Sequence, residues 1–126
     1  MVEIVATDAI ASPLSGGLKY EVGKELLARF GEGVCRFQST CDDVPTFWVA
    51  RAKVLEVLSF LRGVQKPYVM LYDLTAIDER LRLHRHDQPA ADFTVLYHLL
   101  SIERNSDVRI KVALSSSDLV MPTAIP

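Results

Sequence analysis

Apolar residues recur at every fourth position in the first quarter of the chain. Leu18, Val22, Leu26 and Phe30 follow this spacing, and charged residues occupy most of the positions between them. A spacing of three to four residues places apolar side chains on one face of an α-helix. Gly31 comes next, and glycine is the usual residue of a left-handed cap at a helix C-terminus. The pattern therefore predicts an amphipathic helix that ends at Phe30.

Two short extended segments follow, over residues 34–40 and 46–50. The sequence Cys-Asp-Asp-Val-Pro joins them, and its composition is typical of a turn, so the two segments predict a β-hairpin. A second apolar stripe with helical spacing covers residues 54–61 and is followed by Gly63. This stripe predicts a second helix closed by Gly63.

The second half of the chain predicts three strands. Pro67 stops the helix, and Tyr68–Thr75 carries apolar residues on both faces, which is typical of a central or covered strand. Phe93–Glu103 fits both a helical period and a period of two. The tight turn Asn105–Ser106 and the cleanly alternating segment Val108–Leu114 follow it, and this succession favours a strand.

The predicted order is helix, two strands, helix, three strands. This order indicates the α+β fold class, as a two-layer α/β sandwich with a mixed or antiparallel sheet. The polar segment Leu83–Ala91 predicts a loop between the third and fourth strands. Residues 1–17 show no period and predict a flexible leader, and residues 18–126 predict a single domain. No closing element follows Ser115, so we expect this domain to be truncated at its C-terminal end.

Composition restricts the classes of partner and compartment. The 14 basic and 16 acidic residues give a net charge of −2, which provides no overall positive field for nucleic acid. No segment reaches the about 18 apolar residues that a membrane span requires. Cys35 and Cys41 are too few for a disulfide framework and lack the Cys-x-x-Cys spacing of zinc or iron–sulfur sites. We interpret both as free structural thiols of a reduced, cytoplasmic chain.

Acidic residues at the end of the third predicted strand are the first candidates for chemistry. Asp73, Asp78 and Glu79 could form an acid–base pair if their surroundings separated their pKa values. Arg80 and Arg82 follow at once, however. Exposed charge clusters are more common than catalytic sites, so the favoured interpretation is that these acids form ion pairs with the arginines.

Histidines form the second candidate. His84 and His86 are two positions apart and could bind a metal ion together with Asp87. A structural zinc site needs four ligands, and the only further histidine is the distant His98. A metal-binding module on these residues is therefore the less favoured alternative.

No other motif for catalysis or a cofactor occurs. Gly16–Gly17 precedes a helix but lacks a phosphate-binding pattern, and Ser115–Ser117 lacks the Gly-x-Ser-x-Gly sequence of a nucleophile. The adjacent Phe47 and Trp48 predict one side chain in the core and one on a contact face. The sequence therefore predicts no catalytic, cofactor-binding or metal residues in this chain.

Three blocks of sequence resemble a known family. They are FWVARAKVLEVLSFLR, KPYVMLYDLTAIDERLR and PAADFTVLYHLLSIERNSDVRIKVAL. These blocks are similar to the C subunit of bacterial proton-pumping NADH:quinone oxidoreductase, respiratory complex I, especially the form fused to the D subunit. The resemblance covers residues 18–123. The Trp-Tyr-Glu-Arg-Glu segment of that family and its later Gly-His-Pro run are not in this chain, although Pro122–Thr123 resembles the sequence that precedes them.

The resemblance implies a role in an enzyme complex rather than a separate active site. It implies a two-layer domain that docks mainly against the quinone-site D subunit, among other subunits of the complex. The complex transfers electrons from NADH through FMN and iron–sulfur centres to quinone, coupled to proton translocation. The resemblance places these cofactors in partner subunits, with none in this chain. It implies a peripheral position on the cytoplasmic side of the inner membrane, without insertion into the bilayer and without nucleic-acid partners.

The loop between the third and fourth predicted strands, Arg80–Asp92, is the predicted interface with other subunits. Arginine and exposed irregular backbone are typical of recognition surfaces. The candidate interface residues are Arg80, Arg82, His84, Arg85 and His86. The alternatives are an independent metal-binding module and a protein-interaction module unrelated to respiration.

Overall fold

The computed structural model describes residues 16–86 and 88–125. Most of the predicted leader, residues 1–15, and the proposed metal ligand Asp87 therefore lie outside the described residues. Within them, neither helix is long and apolar enough to cross a bilayer. The elements are α1 (Glu21–Phe30), β1 (Cys35–Gln38), β2 (Thr46–Val49), a short 3₁₀ turn (Arg51–Lys53), α2 (Val54–Gly63), β3 (Met70–Asp78), β4 (Phe93–Ser101) and β5 (Ser106–Leu114).

Helix α1 confirms the predicted amphipathic helix. One glycine determines how the helix ends, and another determines how closely it packs on the preceding chain. Gly31 follows the helix with φ 81° and ψ 167°, and its N–H donates to the carbonyl of Leu27. This conformation is extended with a positive φ, a region occupied almost only by glycine, rather than the left-handed cap expected. Gly23 faces the preceding chain, because a Cβ there would lie 1.8 Å from the carbonyl oxygen of Gly17. Helix α1 therefore packs directly on the backbone before it.

Helix α2 confirms the second predicted helix but not its predicted cap. Val54, Val57 and Leu61 form its buried face. Gly63 is the last helical residue, and the capping position belongs to Val64, which has φ −72° and donates its N–H to the helix. The chain leaves this helix in an ordinary extended conformation, so no glycine is required at the cap.

The five strands form one mixed sheet in the order β1-β2-β5-β4-β3. The pairs β1–β2, β5–β4 and β4–β3 are antiparallel, and β2–β5 is parallel. Phe47 lies opposite Ile110, which lies opposite Tyr97. Partners in a ladder share a face of the sheet, so these three residues form one apolar row. The predicted hairpin and the α+β class with a mixed sheet are confirmed.

The predicted central position of the third strand is wrong. Strand β3 is an edge strand, shifted to Met70–Asp78, and most of its residues are exposed. Strand β5 inserts between β2 and β4, and this insertion moves β3 to the margin of the sheet. Of its apolar residues, Leu71 contacts the core, whereas Leu74 remains 43% exposed. Tyr68 precedes the strand and is a core residue.

The core lies between the two helices and one face of the sheet. Alternate strand residues point to the opposite face, which carries Trp48, Lys111 and His98. Phe47 is fully buried in the core, as predicted. Trp48 points to the opposite face but is only 5% exposed, so it does not present the free contact face that the sequence predicts. The buried apolar residues of the core are Val22, Leu26, Cys35, Phe47, Val49, Val54, Val57, Leu61, Tyr68, Tyr97, Leu99, Val108, Ile110, Val112 and Leu114.

Candidate docking surface

The connection between β3 and β4 starts from a fixed base. The N–H of Glu79 donates to the carbonyl of Asp92 over 2.8 Å, and the N–H of Asp92 donates to the carbonyl of Leu114 over 2.9 Å. The Asp92 carboxylate accepts the N–H of Ser116 over 2.6 Å. Both ends of the loop are therefore bonded to each other and to the end of β5.

The two acids at this base bind the two arginines that follow them. Asp78 forms a bidentate pair with Arg80, with distances of 2.9 and 2.7 Å, and this hydrogen bonding lowers the pKa of Asp78 to about 2. Glu79 accepts from Arg82 over 3.2 Å and from the Thr94 hydroxyl over 2.6 Å. The predicted pairing with arginines is confirmed for Asp78 and Glu79, whereas Asp73 forms no ion pair within the described residues.

The five predicted interface residues lie together on this loop but differ in their contacts. Arg80 is held by its ion pair and by the ring of Phe93, whose centroid lies 5.0 Å from the guanidinium carbon. His84, Arg85 and His86 are exposed. None of these three forms an ion pair within residues 16–86 and 88–125. The loop therefore has a tethered base and an exposed basic tip.

A small cleft of about 150 Å³ separates the loop from the face of the sheet opposite the core. The floor comes from β-strand residues, and the loop provides a wall that includes three basic side chains. The lining residues are Gln38, Trp48, Thr94 and Lys111 from the sheet, and Glu79, Arg82, Leu83, His84, Arg85, Gln88, Pro89 and Ala91 from the connection.

Lys111 is the cation on the floor of the cleft. Its ammonium group donates to Gln38 Oε1 over 3.2 Å and lies 5.1 Å from the centroid of the Trp48 ring. Trp48 Nε1 donates to the same Gln38 oxygen over 2.7 Å. Burial lowers the pKa of Lys111. No carboxylate within the described residues lies at ion-pair distance from it, so this half-buried charge favours an anionic group from outside.

The third histidine belongs to another cluster. His98 Nε2 lies 2.8 Å from the Tyr72 hydroxyl and 2.9 Å from Asp107 Oδ2, and the Tyr72 hydroxyl donates to Asp107 over 2.6 Å. No group of three His, Cys, Asp or Glu residues within the described parts of the chain is arranged to hold a metal ion. His98 is therefore a hydrogen-bond partner of Tyr72, the residue at which a bulge interrupts β3 between Leu71 and Asp73.

The two cysteines are free, as predicted, but only one contributes to the core. Cys35 is buried in β1, and burial raises the pKa of its thiol to about 12. Cys41 is exposed in the turn between β1 and β2. The interpretation of Cys41 as a structural thiol is therefore wrong, because turn residues bury little side chain.

Two apolar residues of the loop were not predicted to take part in the interface. Leu81 is fully exposed and Leu83 is 94% exposed, which makes them the most exposed large apolar residues in the described chain. They alternate with arginines in the sequence Arg-Leu-Arg-Leu. This alternation is compatible with a half-buried strand end as well as with an exposed loop, so the sequence holds no decisive signal for these two residues.

Comparisons with known proteins support the resemblance. The family profile described as "Respiratory-chain NADH dehydrogenase, 30 Kd subunit" matches residues 47–126. The chain is 57% identical over 114 residues to the NADH-quinone oxidoreductase C/D subunit of Acinetobacter baylyi, which covers 90% of this chain and 19% of that protein. It is 61% identical over 104 residues to the C/D subunit of Azotobacter vinelandii, which covers 82% and 18% respectively. The chain thus spans about a fifth of the length of these curated relatives.

The fold is shared with solved structures, of which we describe one. It is described as "Nqo5 of the trypsin-resistant fragment (1-134) in P63 form", and it matches with a TM-score of 0.61 and 16% sequence identity. The match covers 85% of this chain and 77% of that one. At this identity the likeness concerns the fold alone, and it agrees with the two-layer arrangement described above.

Proposed function

The chain belongs to the family of the 30 Kd subunit of respiratory-chain NADH dehydrogenase, and we propose that it is the docking domain of the C subunit in a bacterial NADH-quinone oxidoreductase. The observation that carries this proposal is the family match over residues 47–126, which includes α2 and strands β3, β4 and β5. The relatives are named as C/D subunits, so the D portion of the same polypeptide is the proposed chief partner, with other subunits of the complex around it.

In this proposal the complex transfers electrons from NADH through FMN and iron–sulfur centres to quinone, coupled to proton translocation, and the present domain holds no cofactor. The ion pairs, hydrogen bonds and burial of its reactive side chains support a scaffolding role. Asp78 and Glu79 bind arginines, His98 is engaged by Tyr72 and Asp107, and the Cys35 thiol is buried. These side chains are occupied in stabilising the domain itself.

The proposed interface is the loop with Arg80, Arg82, His84, Arg85 and His86, as the sequence suggested. Its base is tied to β5, which reduces the ordering that binding requires, and its tip is exposed. A domain attached through such a surface would sit peripherally, on the cytoplasmic side of the inner membrane, and would reach the bilayer only through its partner subunits.

A purification from the source organism tests this function. We expect the complete polypeptide, tagged and expressed from its own locus, to recover other subunits of the complex together with NADH:quinone activity. Produced alone, the same polypeptide should show no flavin or iron–sulfur absorption and no NADH oxidation. Recovery without any subunit of a respiratory complex would contradict the assembly role. Stoichiometric flavin or iron in the 126-residue portion would contradict the scaffolding role.

A further inference from the structure

Leu81 and Leu83 are the apolar feature of this surface that the charged residues do not explain. Each places nearly its whole side chain in water, whereas the next most exposed large apolar residue, Val120, reaches 75%. Apolar area and arginine are both enriched in the buried centre of protein interfaces. We therefore expect a partner surface to cover Leu81 and Leu83.

The turn that carries Leu81 is restrained by Arg82, the residue between the two leucines. Arg82 donates from its backbone to the carbonyl of Glu79 over 3.1 Å and from its side chain to the Glu79 carboxylate over 3.2 Å. Glu79 in turn accepts from Thr94 of β4. Arg82 is thus linked to β4 through Glu79, and this link restrains the turn with Leu81 before any partner binds. Such preorganisation reduces the entropy lost on association.

The surroundings of Leu83 determine the chemistry of the partner. Leu83 lines the cleft together with Lys111 and Arg85, and the acid among the described lining residues, Glu79, is already paired with Arg82. Neither Lys111 nor Arg85 has a carboxylate partner within the described residues. A matching surface would therefore combine an apolar depression for the leucines with a carboxylate for these cations, because complementary charge sets orientation and specificity.

We propose that Leu81 and Leu83 are the apolar anchor of the domain on a partner polypeptide, which presents an apolar pocket with an acidic side chain at its rim. The leucines occupy the pocket, and the acidic side chain enters the cleft beside Lys111 and Arg85. The inference rests on the proposed function, in which the partner is the D portion or another subunit of the complex. A protein is favoured over an anionic membrane because the chain has a net charge of −2 and offers no overall positive field to anionic lipid.

The test measures the amount of intact complex. The relatives carry the C and D portions on one polypeptide, so co-purification of the D portion would say nothing about docking. The test variant is Leu81→Ser with Leu83→Ser in the complete polypeptide of the source organism. The matched control is Ile102→Ser with Val120→Ser, which removes two other exposed apolar side chains. On native gels we expect at least a tenfold loss of intact complex for the test variant, about 1.4 kcal/mol in binding, and wild-type levels for the control.

Site-specific cross-linking identifies the occupant. Leu81→benzoylphenylalanine in the assembled complex should cross-link to a segment that contains apolar residues next to Asp or Glu. The same replacement at Ile102 should not label that segment. Lys111→Met should weaken assembly and reduce its dependence on salt, because the cation that receives the carboxylate is removed.

The outcomes separate this inference from the proposed function. If the wild-type chain recovers the complex but the leucine variant assembles like the control, the anchor is disproved and the function stands. If the purified polypeptide binds vesicles of phosphatidylglycerol through Leu81 and Leu83 instead, the occupant is lipid and the inference is overturned. If the wild-type chain recovers no subunits of the complex, the function itself has failed.

Discussion

Among single residues, the two cysteines show most clearly how position controls reactivity. Cys35 has no exposed surface and lies in the core cluster, where burial favours the neutral thiol. Cys41 lies in the exposed Asp-rich turn beside Asp42 and Asp43. The attacking species in thiol chemistry is the thiolate, so exposure and pKa together decide which cysteine reacts.

We expect Cys41 of the native chain to react with a disulfide reagent, and Cys35 to react only after unfolding. Cys41→Ser should abolish the fast reaction, and Cys35→Ala should leave it unchanged. Two equally fast native thiols would contradict the buried position of Cys35.

The raised pKa of Cys35 also makes the stability of the domain depend on pH. Its contribution to stability should be fully present below about pH 9 and lost as the pH rises toward 12, as urea unfolding of wild type and Cys35→Ala can measure.

The candidate site was predictable in its charges and not in its apolar residues. A run of basic residues in a polar loop indicates an exposed charged surface, so the sequence predicts the exposure of Arg82 and Arg85. It does not predict the exposure of Leu81 and Leu83, because an apolar residue next to a strand is equally consistent with burial. Whether such a side chain is covered depends on the path of the whole loop, which no local pattern contains.

At the scale of elements, the two edges of the sheet are protected in different ways. Strand β1 has only four residues, which offers little to pair with, whereas β3 has nine. A bulge interrupts β3 at Tyr72, whose hydroxyl is bonded to His98 and Asp107. Apolar residues on both faces predicted a central strand here. Periodicity reports which faces are apolar, but the number of neighbouring strands depends on where β5 inserts.

The exposed edge predicts the behaviour of one substitution. Leu74→Lys in β3 should reduce self-association of this chain and change its stability by less than about 0.5 kcal/mol, because Leu74 is half-exposed and lysine blocks edge pairing. Leu71→Lys is the control, since Leu71 packs on the core and should be clearly destabilised. Light scattering and thermal unfolding measure the two effects. Equal destabilisation by both substitutions would contradict the edge position of Leu74.

At the scale of the whole molecule, Arg104 joins segments that are distant in the chain. Its side chain is only 7% exposed and forms a bidentate pair with Glu25 of α1, at 2.6 and 3.0 Å. It also donates to the carbonyls of Gln65 and Lys66, which lie between α2 and β3, and it stacks over Tyr68. One side chain thus ties the helical layer to the turn between β4 and β5.

Replacing this side chain should weaken the entire domain. Arg104→Met leaves the Glu25 carboxylate and the Gln65 carbonyl without the donor that Arg104 provides, while the Lys66 carbonyl keeps only Ser101, and we expect a loss of about 3 kcal/mol in the free energy of unfolding. Arg104→Lys should lose less, because it keeps the charge but not the bidentate geometry. Arg62→Met at the exposed end of α2 is the control. Urea unfolding measures all three, and an unchanged midpoint for Arg104→Met would exclude this role.

The elements of the fold were predictable because each helix and strand has its own local period. Their arrangement was less so. The parallel pairing of Thr46 with Arg109 joins β2 to β5, and nothing near either residue specifies the other. The contact between Arg104 and Glu25 is similarly distant. Sequence patterns therefore predicted the layers and the class of the fold, while the order of strands emerged only from long-range packing.

The β2–β5 pairing has a consequence for how the protein is made. All four residues of β2 are buried in the finished sheet, yet their partner strand β5 is among the last parts of this sequence to be synthesised. Strands β3, β4 and β5 pair with neighbours in the chain and can assemble as soon as they appear. We expect closure of the long loop between β2 and β5 to be the slow step, because this non-local pairing costs the most loop entropy. Until β5 pairs with it, the hairpin of β1 and β2 exposes an unpaired, apolar inner edge, and such edges favour aggregation during folding.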